Sequence, residues 1–318
     1  MGSQRAVAVA EGGRADGAMP LSQWLLLLLL ALLWGSAYVL VAYALRELPP
    51  LTVVVSRLGL AAIVLAAVVK AMGLAWPRGL AGWLPFLGMA VFNNVIPFIS
   101  IAYGQLEIAS GLASVIVATT PLWTVLLSRL ILPGERIGGR RLAGILLGIA
   151  GVAVLFGPEI AAGRQSTLVG MALVLGAAFS YGCAGVWGAR LRGISPIVSS
   201  CCQLVCSACI VGMLALVIDR PWSLPLPSTP TVLSLLVLAV VSTALAYVVF
   251  YRVLVVSGGT NVMLVTLIMP PLTIWLGIVL LGETFAERYA WGAAIIAGAL
   301  LVIDGRLART LSRAFARA

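Results

Sequence analysis

The sequence predicts an all-α integral membrane protein, with ten transmembrane helices as two inverted five-helix repeats. Three observations carry that prediction. Of 318 residues, 62% are hydrophobic and 9% charged, against roughly 45–50% and 25% in soluble domains. The apolar residues run continuously instead of alternating, in stretches close to the ~20 residues that cross a bilayer core as a helix. The chain also matches itself, weakly, at a shift of 147–148 residues.

The predicted spans cover residues 22–45, 50–72, 80–103, 108–132, 139–157, 167–189, 196–218, 231–254, 259–281 and 288–306, joined by short connections rich in Pro, Gly, Arg and Glu. The first, WLLLLLLALLWGSAYVLVAYAL, is too long for the apolar region of a signal peptide and reads as a retained helix. The second carries Arg57 about seven residues in, roughly 10 Å deep at 1.5 Å per residue. In lipid such a cation is expensive and is paired, or faces water. The third contains VFNNVIPF, with Asn93, Asn94 and Pro97 near mid-depth. The fourth, ATTPLWTVLLSRLILPGE, ends on Glu135.

The fifth span carries Gly144, Gly148 and Gly151, and the tenth Gly292 and Gly298. Small residues let helices approach closely in lipid. Packing within the fold is the preferred reading, and a homodimer contact the alternative. The sixth span opens its motif with YGCAG. The seventh places Cys202, Cys206 and Cys209 on one face, read as small buried apolar side chains in preference to a metal site. Gln203 lies at about the place that Arg57 occupies in the second span. The eighth has Ser242 and Thr243 at the depth of the two asparagines, and the ninth ends on Glu283. Both glutamates read as interfacial residues that close a turn or pair with an arginine.

The distribution of charge sets the topology. With the N-terminus inside, 15 of the 20 basic residues fall on the cytoplasmic side and 5 elsewhere. Both termini are therefore expected in the cytoplasm. The net charge of +10 comes from scattered loop residues with no basic stripe, so no nucleic-acid partner is expected.

The repeat rests on six matches in order: Trp34-Gly35 on Tyr181-Gly182, Pro49 on Pro196, the fourth span on the ninth, Glu135 on Glu283, Gly144 on Gly292 and Gly157 on Gly305. Five spans is an odd number, so the second copy enters the membrane from the opposite side. Inverted repeats of this kind characterise secondary transporters, whose sites lie near the midplane.

WGSAY in the first span, and the order of proline, span and Gly-Glu in the fourth and ninth, resemble the drug/metabolite transporter superfamily and its EamA-type branch over residues 22–306. That resemblance implies an exporter or importer of small metabolites. It also implies a cavity lined by the first, third, fourth, sixth, eighth and ninth helices, with the fifth and tenth at the periphery. Pro133 before Gly134-Glu135, and YGCAG in place of WG, depart from the pattern.

Enzyme chemistry is not expected. The chain has no histidine, no aspartate inside a span and no phosphate-binding loop. No cofactor and no metal are implied. The expected site is a neutral midplane cavity formed by Trp34, Asn93, Asn94, Tyr181, Ser242 and Tyr247. Asn94 shares a helical face with Pro97, Phe98, Ile101 and Gly104, which makes it the better cavity candidate of the two asparagines. The expected substrate is a small neutral or zwitterionic metabolite, such as an amino acid or a drug, moved across the inner membrane by alternating access, with export the favoured direction. The other reading is a non-transporting scaffold or receptor-like protein. The expected organisation is a disordered N-terminus (1–20), a first EamA-type five-helix repeat (21–158), a second, inverted repeat (166–306) and a basic tail (307–318).

Overall fold

The computed structural model describes residues 21–131, 138–191, 193–257, 262 and 264–304. Glu135, the N-terminal 20 residues and the basic tail lie outside these. Among the described residues every regular element is helical. Eight helices are long and apolar enough to cross a membrane: α1 (Leu21–Ala44), α2 (Pro50–Ala71), α3 (Gly79–Gly104), α4 (Ser110–Ile131), α5 (Gly139–Ala161), α6 (Gln165–Leu191), α7 (Pro196–Ile218) and α8 (Thr229–Leu254). Two shorter apolar helices follow, α9 (Val265–Leu281) and α10 (Glu287–Asp304).

Helices α3, α4 and α8 depart from α geometry in mid-span. In α3 a π-helical turn spans Val91–Val95, just before Pro97. Proline has no N–H to give the carbonyl four residues back, and the wider turn redistributes the bonds, with Ile96 N–H reaching Val91 O. A second π turn occupies Val240–Leu245 of α8 with no proline in it, so proline is not the common cause. Helix α4 breaks at Ala118–Thr119 ahead of Pro121. The Val117 carbonyl, which Pro121 cannot serve, accepts the Thr120 hydroxyl at 2.8 Å. In lipid such a carbonyl must find an internal donor.

The glycines of α5 pack inside the fold. A Cβ on Gly144 would lie 2.5 Å from Ile303 Cγ1 and 3.0 Å from the Ala299 carbonyl oxygen of α10. One on Gly151 would meet Ile296, and one on Gly292 would meet Leu155. Thus α5 and α10 clasp each other. Two further glycines make matching contacts: Gly35 of α1 presses on Met269 and Thr273 of α9, and Gly182 of α6 presses on Trp123 of α4. Their motifs are the WG and YG pair of the 147-residue shift.

At one end of the bundle, carboxylates close the helix N-termini of other segments. Glu47, after α1, accepts the Ser228 N–H at 2.7 Å and its hydroxyl at 2.6 Å ahead of α8. Asp219, after α7, accepts the Thr52 N–H at 2.7 Å and its hydroxyl at 3.0 Å in α2. The α1–α2 and α7–α8 connections therefore cap each other's helices. Glu283, after α9, does the same for Ser110 of α4. Orphan N–H groups at a helix start favour such acceptors. Glu283 thus closes the start of another helix, as the reading of it as a turn-closing interfacial residue allows.

Candidate functional site

The π turns of α3 and α8 bring polar side chains inward at the same depth. Asn93 Nδ2 donates to Gln203 Oε1 and to the Tyr247 hydroxyl, both at 3.0 Å. Tyr247 donates in turn to Asn94 Oδ1 at 3.0 Å, and Asn94 Nδ2 to Ser207 Oγ at 3.0 Å. One hydrogen-bonded cluster thus joins α3, α7 and α8. Hydroxyls also serve the carbonyls that the π turns leave open. Ser180 of α6 donates to Phe92 O at 2.8 Å, and Thr243 to Leu238 O at 2.7 Å.

Asn94 is fully buried, and Pro97, Phe98, Ile101 and Gly104 are buried with it, so the face drawn from helical periodicity is an enclosed one. Asn93 is the partly exposed asparagine. The expectation that Asn94 would be the one to see open space is therefore reversed in this conformer. The extra residue in the π turn swings Asn93 toward α7 and α8.

Arg57 enters the same region from α2. Its Nε donates to Thr243 Oγ1 at 2.8 Å, and its guanidinium lies 3.8 Å from the centre of the Phe98 ring. The phenols of Tyr38, Tyr181 and Tyr247 lie within electrostatic reach of its charge. These neighbours come from α1, α3, α6 and α8. Arg57 is half-buried among these side chains.

The remaining predicted residues surround this cluster. Ser242 shares a 3.0 Å hydrogen bond with Ser36 of α1. Trp34 lies against Phe250, ring centroids 5.4 Å apart. Tyr181 packs against both apolar cores of the molecule. Each residue of WGSA thus has a contact: Trp34 to α8, Gly35 to α9, Ser36 to α8, and Ala37 in the core.

Sequence reasoning did not place Gln203, Ser207 or Ser36 in this cluster. The only signal for Gln203 was its equivalence to Arg57, and serines in spans are too common to single out. The polar cluster draws on α2 and α7 in addition to α1, α3, α6 and α8, whereas α4 and α9 contribute packing at Gly182 and Gly35. Among the described residues no group of three or more Cys, Asp or Glu has metal-ligand geometry.

Comparison with known proteins defines the class. The model of the EamA-like transporter family matches residues 21–157 and again residues 168–304, and this protein belongs to that family. It is a multi-pass membrane transporter whose EamA domain is duplicated. It is 28% identical over 286 residues to a probable amino-acid metabolite efflux pump of Salmonella typhimurium, covering 87% of this chain and 93% of the relative. A protein of the same description from Escherichia coli K12 is 27% identical over 285 residues, with the same two coverages. The uncharacterized inner membrane transporter YedA of E. coli K12 is 28% identical over 283 residues, 86% of this chain and 88% of its own length. A solved crystal structure superposes with a TM-score of 0.63 at 20% identity, over 89% of this chain and 96% of its own.

Proposed function

We propose that this protein is a ten-span secondary transporter exporting small neutral or zwitterionic metabolites, amino acids foremost, across the inner membrane. The observation that carries this reading is the mid-depth cluster of Asn93, Asn94, Gln203, Tyr247 and Arg57, assembled from both halves of the chain. Amides, phenols and a single cation suit a small polar solute that is not highly charged. The matching contacts of Gly35 and Gly182 support two inverted halves, and alternating access is then a rocking of one half against the other. The excess of basic residues on one side supports cytoplasmic termini. The names of the efflux relatives favour export and amino acids. Cells overproducing the protein are expected to tolerate toxic amino acids or antimetabolites, and a proton uncoupler tests the drive. Unchanged sensitivity to every compound, with the protein present in the membrane, would count against transport.

A further inference from the structure

Arg57 is a charge that the fold does not neutralise. Among the described residues, no carboxylate comes within 4.0 Å of its guanidinium. Of its five N–H donors, only Nε has a hydrogen-bond partner among the described residues, Thr243. The Phe98 ring covers the group, its centre 3.8 Å from the guanidinium carbon. A second donor in the same cluster is idle. Gln203 is fully buried, its Oε1 taken by Asn93, and its Nε2 has no hydrogen-bond partner. An unpartnered buried amide N–H costs about 1–3 kcal/mol, and an unpaired cation at this depth costs more. Folded proteins keep such groups where something else completes them.

Both idle groups are donors, so the completing partner is an acceptor. The charge adds that it is anionic, and a single arginine matches one negative charge. Arginine's planar edge offers two parallel N–H groups, the geometry of a carboxylate.

We propose that Arg57 is the carboxylate anchor of the transport site, assisted by Gln203, and that the substrates carry a free carboxylate. This rests on the transport reading above and narrows it: zwitterionic amino acids and related monocarboxylates fit, while uncharged solutes and simple cations do not. A net cation would meet the Arg57 charge with no acid in the cluster to offset it.

The test uses purified full-length protein in liposomes and measures uptake of L-leucine and L-phenylalanine against L-leucinamide and L-phenylalaninamide, with uridine as an uncharged probe. Wild type is expected to prefer each acid over its amide by about tenfold or more, the loss of one charge-assisted pair. Arg57→Gln is expected to erase that preference, and Arg57→Lys to retain part of it. Equal transport of acid and amide by wild type overturns the proposal, and does so even if the Arg57 variants fail to fold. So does a preference that survives intact in a folded Arg57→Gln protein. Movement of uridine with none of the acids overturns the carboxylate anchor while leaving the transport reading standing. Movement of nothing removes both.

Discussion

Glu283 caps a helix 173 residues away: its two carboxylate oxygens take the backbone N–H of Ser110 at 3.0 Å and the hydroxyl at 2.7 Å. Gly277 is what admits it, since a Cβ there would lie 2.5 Å from Glu283 Oε2. Replacing a capping acceptor by alanine costs about 1 kcal/mol. Glu283→Ala is expected to lower the thermal midpoint in detergent, and Glu283→Gln to lower it less, because one amide oxygen remains. Equal midpoints for wild type and Glu283→Ala would show that the cap contributes nothing.

Glu47 makes the analogous cap at Ser228 but stands in water. The Ser228 hydroxyl, with its backbone N–H, holds the Glu47 carboxyl below the usual glutamate value of 4.5. A depressed folded-state pKa stabilises the fold above the unfolded value and loses that contribution as pH falls through the folded one. The midpoint difference between wild type and Glu47→Ala is therefore expected to be present at pH 7 and to vanish in acid below 4.5. Thermal scans of both proteins over that range check it. A difference that grows in acid would contradict the assignment.

The two neighbouring asparagines are expected to separate by phenotype. Asn94 is sealed between Ser207 and Tyr247. Asn94→Leu takes from the Tyr247 hydroxyl its acceptor and from Ser207 Oγ a donor, though Ser207 keeps its bond to Gln203 O and Tyr247 its bond from Asn93, and a loss of about 1–3 kcal/mol of stability is expected. Asn93 is partly exposed, and Asn93→Ala is expected to reduce amino-acid uptake in liposomes by about tenfold, or ~1.4 kcal/mol, with a small change in midpoint. The opposite pattern would return the cavity-facing role to Asn94.

Packing predicts a contrast between glycines. Gly144→Ala forces a methyl against the Ala299 carbonyl and Ile303, and is expected to cost about 1–3 kcal/mol. Gly298 has only Leu147 Cδ2 nearby, at 3.9 Å. There alanine is expected to be neutral or mildly stabilising, by up to ~1 kcal/mol from helix propensity. Thermal midpoints of the two variants decide it, and a tolerated Gly144→Ala would mean that α5 and α10 sit further apart.

The legible part of this fold was what lipid enforces locally. Continuous apolar runs bounded by Pro, Gly and charge marked α2 as 50–72 and α7 as 196–218, within a residue of where they stand. The pairing of Asn94 with Pro97 and Phe98 on one buried face also followed from period. The π turns were not legible. They insert one residue into the helical phase, and the α8 example carries no proline to announce it. Nor was the choice of Gln203 and Ser207 as partners for the asparagines, because it depends on which helices touch across 110 residues or more. Only the depth of the polar residues could be read, and depth does not specify a neighbour.

The cross-caps at Glu47, Asp219 and Glu283 give one end of the bundle an unusual kind of closure. Each joins the first half of the chain to the second. A greasy seal exposes apolar surface whenever it parts, at ~25 cal/mol per Å². A carboxylate clasp exchanges its protein donors for water and keeps its hydrogen bonds throughout. Parting one such clasp then costs about the 1 kcal/mol of a helix cap, and no new apolar surface.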